Sequence, residues 1–216
     1  GRDPGRYKRR DALETQMKIH SKAVHAGDRK RDGGVVPSTV PIHTASSYFY
    51  PEAERLDRIF AGEEDGFCYS RYGNPTTAAL EELVTELESG HGALACASGM
   101  AAMQIAIQTA LSDRNRSIVA ANAIYGATVQ MLLGMFGPSG VEITFVDACD
   151  LDAVARAIEN EKPGCVLVET ISNPLLRVTQ IDRIAEMTRA AGAALVVDNT
   201  FATPLTRRPI DMGARR

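Results

Sequence analysis

At 216 residues with 44% hydrophobic side chains, the chain is long enough for one substantial core plus an extension. Its 24 basic and 27 acidic residues leave a formal charge of −3, which exerts no overall pull toward nucleic acid or anionic membrane, so small molecules or proteins are the expected partners. No apolar run approaches the roughly 20 residues that span a bilayer and the N-terminus lacks a signal-peptide core, so a cytoplasmic location is expected.

The polar, arginine-rich opening, residues 1–16, reads as a tail, with a basic interaction arm as the other reading. From Lys18 to Tyr72 the pattern is irregular, with prolines at 37, 41 and 51 and one short helical candidate at 53–60, so this stretch is expected to be an extended arm. Asn74 and Pro75 then supply an N-cap and a first-turn proline, and Leu80, Leu83, Val84 and Leu87 fall at helical spacing, which predicts a helix ending near Ser89-Gly90. Beyond it, five apolar runs predict strands at 93–97, 117–121, 142–146, 165–169 and 194–198. Helices are predicted between them near 99–111, 126–136, 151–160 and 181–191, the third capped by Asp150 and the last closed by Gly192. This alternation implies an α/β fold with a mostly parallel sheet covered by helices on both faces.

Cys68, Cys96, Cys149 and Cys165 are scattered and form no CxxC pair, which suits reduced thiols. The four histidines lack the i, i+4 spacing of a metal pair, so no metal is expected.

In open parallel sheets ligands gather beyond the carboxyl ends of the strands, which directs attention to the residues after each apolar run. Ser98 and Gly99 stand at a strand-to-helix turn, where backbone N–H groups face either an anion such as phosphate or only a side-chain cap. Asp198 ends an apolar run, where it either pairs with a cationic ligand or closes a turn with Asn199. Tyr125 could lay its ring on a flat ligand or half-bury it in the core. Arg71, between Tyr69 and Tyr72, has no obvious packing task, so it reads as a bidentate phosphate ligand or as a solvated loop arginine. The absence of GxGxxG argues against a nicotinamide-binding domain.

The segments YSRYGNPT (69–76), ASGMAA (97–102), Tyr125-Gly126-Ala127-Thr128, ETISNP (169–174) and VVDNTFATP (196–204) occur here in one order. Together they resemble the cystathionine γ-synthase, methionine γ-lyase and O-acylhomoserine sulfhydrylase family of fold-type I pyridoxal-phosphate (PLP) enzymes. The resemblance implies a fold-type I PLP-dependent transferase-like architecture. It also implies PLP held by Tyr69, Arg71, Ser98, Gly99, Met100, Tyr125, Asn173, Asp198 and Thr200, with Glu169 in support. Within that set, Gly99 and Met100 would give N–H groups to the phosphate, and Tyr69 and Arg71 would reach the phosphate of a neighbouring subunit's cofactor. Tyr125 would stack on the ring and assist proton transfer as the catalytic residue, Asn173 would bond the ring hydroxyl, and Asp198 would hold the ring nitrogen protonated. The implied chemistry is β/γ-elimination or γ-replacement on sulfur amino acids or O-acylhomoserine, in a homodimer or homotetramer with shared sites.

The resemblance further implies domains at 17–74 (an arm contacting a neighbouring subunit) and 75–216 (the PLP-binding large domain). The match fails at Arg215, before the family's Schiff-base lysine and its C-terminal domain, so the fold is expected to be incomplete at the C-terminus. Among Lys8, Lys18, Lys22, Lys30 and Lys162, only Lys162 lies in the sheet region. It precedes the strand at 165–169, and five residues at roughly 3.3 Å each put it about 17 Å from the edge where a cofactor would sit. The chain alone is therefore expected to be inactive, and poorly soluble or oligomeric, with a noncatalytic PLP-binding or subunit-interaction module as the alternative.

Overall fold

The computed structural model describes residues 17–26, 37–112 and 114–214, so the predicted tail at 1–16 lies outside the described residues. The chain divides into two compact units, Gly1–Ala95 and Cys96–Arg216.

Among the described residues the first unit holds three helices: α1 (Ile19–His25), α2 (Ala53–Phe60) and α3 (Pro75–Glu88). Helix α3 starts as its sequence dictates, with Pro75 in the first turn and the Asn74 side chain accepting the Thr76 N–H at 2.9 Å. It stops where Ser89, rather than the glycine beside it, takes the left-handed conformation (φ 56°). Helix α1 departs from the irregular arm expected there. It buries no residue, packs on α3, and is tied to it by the Lys22–Glu86 ion pair at 2.9 Å, so its stability comes from a neighbour distant in sequence rather than from its own periodicity.

In the second unit the chain runs α4 (Gly99–Leu111), β1 (Ser117–Ala121), α5 (Gly126–Met131), β2 (Glu142–Val146), α6 (Leu151–Glu161), β3 (Cys165–Glu169), α7 (Ile181–Ala190), β4 (Ala194–Asp198) and α8 (Thr203–Thr206). Four of the five predicted runs form strands over the predicted residues, all pairs are parallel, and the order is β2-β1-β3-β4. The run at 93–97 is no strand: it is rich in alanine, a weak strand former, and it has no ladder partner among the described residues. The predicted helix at 126–136 is also altered. After α5 the backbone widens into a π-helical turn, Leu132–Phe136, closed by Gly137 N–H donating to the Leu132 carbonyl at 2.9 Å. This turn keeps Leu132 and Phe136 buried while Leu133 and Met135 face outward.

The central strands β1 and β3 are buried along their whole length, as expected of a parallel sheet covered on both faces. Helix α6 packs on β1, β2 and α7, and α7 also packs on β4; α4 packs on β3, β4 and α5. Helices α6 and α7 pack on each other, as do α4 and α5. Asp150 caps α6 as predicted, its side chain accepting the Ala153 N–H at 3.0 Å, and Gly192 adopts φ 70° after α7. Cys165 lies within β3, where burial pushes its thiol up to about 12 and makes it inert.

The amino edge of the sheet is closed tightly. Gly164 donates to the Ser117 carbonyl and accepts from Ala194 N–H, and any Cβ there would collide with the carbonyl oxygen of Asn115. Gly164→Ala is expected to cost about 1–3 kcal/mol through this overpacking. Asp150→Ala is expected to cost about 1 kcal/mol through the lost cap. Urea unfolding of the two variants measures both, and an unchanged midpoint for Gly164→Ala would contradict the close approach.

Candidate functional site

The strand order places a reversal between β1 and β3: from β1 the chain moves outward to β2, then crosses back to β3 and on to β4. Such a reversal opens a crevice beyond the carboxyl ends of the two strands. Three predicted site residues, Tyr125, Asn173 and Asp198, follow or end the strands that frame it or adjoin it.

After β1 the chain turns at Asn122, whose N–H donates to the Val146 carbonyl at 2.8 Å, and reaches Tyr125 at the N-cap of α5. Tyr125 is half-exposed. Across the crevice β3 ends at Glu169, which is buried. Its Oε1 accepts the Tyr125 N–H at 2.6 Å and its Oε2 accepts the Asn173 N–H at 3.2 Å. Burial pushes the Glu169 carboxyl above its ordinary value and the nearby Asp198 charge adds to the rise, against the lowering pull of the Tyr125 and Asn173 amides.

The segment after β3 folds on itself. Thr179 N–H donates to the Thr170 carbonyl, Ser172 N–H to the Arg177 carbonyl, and Arg177 N–H to Ser172 Oγ at 3.0 Å, with Asn173 before a cis peptide bond to Pro174. Thr170 fastens this loop to the next strand, its N–H donating to the Asp198 carbonyl at 3.0 Å and its hydroxyl to Asn199 Oδ1 at 2.7 Å.

Asp198 is in register with Glu169, so the two carboxylates leave neighbouring strands on the same face. Its Oδ1 accepts both the N–H and the hydroxyl of Thr200, at 3.0 and 2.5 Å. Among the described residues Oδ2 has no hydrogen-bond partner. The turn reading and the ligand reading are therefore compatible, because each takes a different oxygen.

At the start of α4, Ser98 Oγ accepts the Ala101 N–H at 3.2 Å. The N–H groups of Gly99 and Met100 belong to the first turn, which has no helical carbonyl four residues earlier to receive them. Apart from its chain neighbours and the backbone of its own helix turn, no atom of the described residues lies within 4 Å of where a Gly99 side chain would begin. Thr128, three residues after Tyr125, lies 4.0 Å from Met100 Sδ through its hydroxyl, which brings the α4 N-terminus beside the start of α5.

Tyr69 and Arg71 belong to the first unit. There Tyr69 bridges to Ser47, and Asn74 Nδ2 donates to the His43 carbonyl, Tyr48 Oη and Ser70 Oγ. Arg71 does have a packing task, contrary to the sequence expectation: its guanidinium lies 4.4 Å over the Tyr72 ring and donates to the Tyr72 hydroxyl at 2.8 Å.

One feature escaped sequence reasoning. Asp147, just past β2, binds Arg177 at 2.8 Å and accepts the Cys149 N–H, lining a small cleft with Ala121, Glu169 and Ser172. Its position after an apolar run was the available signal, but its partner is 30 residues away.

Residues 20–215 match the family model described as Cys/Met metabolism PLP-dependent enzyme. The chain belongs to this family. It is 37% identical over 200 residues to cystathionine gamma-lyase of Bacillus subtilis, covering 92% of this chain and 49% of that protein. To L-methionine gamma-lyase of Fusobacterium nucleatum subsp. polymorphum it is 36% identical over 193 residues, covering 89% and 48%. The solved metY structure from Campylobacter jejuni, which carries N'-pyridoxyl-lysine-5'-monophosphate, superposes with a TM-score of 0.82 at 26% identity, covering 92% of this chain and 48% of that one. The chain thus spans about half the length of the relatives it matches.

The family is PLP-dependent, and the residues fit that group chemically. They offer first-turn N–H groups for a phosphate, an aspartate oxygen with no hydrogen-bond partner among the described residues for a ring cation, and a half-exposed tyrosine for a flat heterocycle.

The Asp147–Arg177 pair has a defined pH signature. Arg177, with the Cys149 N–H second, holds the Asp147 carboxyl below its ordinary 3.8. The stability this contributes is complete above that value and is lost as pH falls through the lower folded one. The gap in thermal midpoint between wild type and Arg177→Leu should hold steady near neutrality, narrow below pH 3.8 and shrink in high salt, because both side chains are partly exposed. A gap that persists undiminished to about pH 2 would contradict this.

Proposed function

We propose that this chain builds the PLP cradle of an enzyme performing β/γ-elimination or γ-replacement on sulfur amino acids or O-acylhomoserine. The observation that carries this reading is the meeting of Tyr125, Asn173 and Asp198 at the β1/β3 reversal, next to the open first turn of α4. When bound, PLP supplies an electron sink for charge developing on the substrate while its ring nitrogen stays protonated.

Each residue then has one task. Gly99 and Met100 present N–H groups to the phosphate, and Ser98 keeps that turn formed by capping it. Asp198 gives Oδ2 to the ring nitrogen and favours its cationic state, while Thr200 fixes the carboxylate through Oδ1. Asn173 binds the ring hydroxyl. Tyr125 covers the ring face and moves a proton near the leaving group. Tyr69 and Arg71, in the arm formed by residues 17–74, serve the phosphate of a neighbouring subunit's cofactor within a cytoplasmic dimer or tetramer; that role asks Arg71 to leave Tyr72 or to bind while stacked on it.

Lys162 supports the further reading that the chain alone is a binding module without catalysis. It caps the C-terminal end of α6 in the left-handed conformation, and its carbonyl accepts from Asn115 at the amino edge of the sheet, opposite the crevice.

The chain has no tryptophan, so its six tyrosines report binding without a competing fluorophore. Titrated with PLP, it should show saturable tyrosine quenching, and Asp198→Ala should weaken binding about 10-fold to 100-fold through loss of a charge-assisted hydrogen bond. Borohydride should leave no pyridoxyl label on Lys162. With O-acylhomoserine, cystathionine or methionine the chain alone should release no product. Absence of PLP uptake would overturn the cofactor reading, and turnover by the isolated chain would overturn its noncatalytic status.

A further inference from the structure

Among the described residues of the second unit, Glu169 is the one carboxylate whose two oxygens accept backbone N–H groups from two different loops, Tyr125 after β1 and Asn173 after β3. It is buried, and it stands in register with a second carboxylate, Asp198. A buried acid beside a like charge is an expensive arrangement if its only purpose is stability, since an apolar residue would fill the end of β3 without desolvating a charge. The upward push on its carboxyl records that cost. What the arrangement does provide is geometry. Side-chain bonds to backbone amides fix where a loop begins, and both loops carry residues assigned to the same ligand.

Resting on the PLP reading above, we infer that Glu169 is the positioning residue of the site: one buried carboxylate clamps the Tyr125 and Asn173 backbones together across the β1/β3 crevice so that ring and amide meet a single cofactor. Glu169 itself touches no part of that cofactor. The chemistry of the clamp is specific to two acceptors. Glutamine retains the shape but offers one oxygen and one NH₂ group, so one of the two amides faces a donor and is released. Aspartate retains the charge but is shorter by one methylene and does not span both amides.

The test uses the whole chain with PLP as the probe, in wild type, Glu169→Gln, Glu169→Asp and Asn115→Ala. The last loses a bond at the amino edge of the sheet and controls for general loosening. Glu169→Gln and Glu169→Asp should each bind PLP about tenfold more weakly, with hydrogen exchange accelerated at the amides of Tyr125 and Asn173, while Asn115→Ala should leave both readouts at wild-type values. If Glu169→Gln does not fold, Glu169→Asp carries the same comparison.

Wild-type affinity in both Glu169 variants overturns the inference and leaves the cofactor reading standing. So does equal weakening in Asn115→Ala, which would assign the effect to stability. So does wild-type binding in Glu169→Asp beside weak binding in Glu169→Gln, which would assign it to charge. Failure of the wild-type chain to take up PLP removes the cofactor reading and this inference with it.

Discussion

Everything at the carboxyl edge of the second unit depends on one constraint: β1 and β3 are buried over their whole length, so polar groups enter only where the strands end. Parallel pairing then decides which polar groups meet. Glu169 and Asp198 leave β3 and β4 in register, and the reversal of strand order sets Tyr125 opposite Glu169. The crevice is thus a product of sheet order, and its chemistry is a product of what the sequence places one step beyond each apolar run.

The two carboxylates divide the work by environment. Glu169 is turned inward, is buried, and spends both oxygens on backbone amides. Asp198 spends one oxygen on Thr200 and keeps the other without a protein partner among the described residues. Residues of the same charge, side by side, therefore hold different positions in one site, the first organising loops and the second available to a cation.

Much of this was legible in the chain itself. Five-residue apolar runs are short for helices and long enough for strands, so 117–121, 142–146, 165–169 and 194–198 were readable, as were the caps at Asn74 and Asp150. The run at 93–97 was not, because a strand exists only with a partner and composition does not supply one. Helix α1 was hidden for a related reason: it leans on α3 and a lysine–glutamate contact 64 residues apart. Asp198 stood out as a charge after an apolar run. Glu169 carried the same signal, yet its role depends on backbone N–H groups, which every non-proline residue has and no residue pattern marks. The stacking of Arg71 on Tyr72 was present as adjacent letters but required a side-chain conformation to become visible.

The loop at 170–179 begins and ends on the same backbone bond, Thr179 N–H to the Thr170 carbonyl, and is braced inside by Ser172 and Arg177. A segment whose ends are already joined can change its tip without asking the sheet to change. Residues 174–176, Pro-Leu-Leu, lie at that tip with both leucine side chains exposed, while the Leu176 N–H donates to the Ser172 carbonyl at 2.9 Å. The exposed leucine side chains are therefore open to variation within a few residues of the backbone bonds that must stay constant to hold the loop.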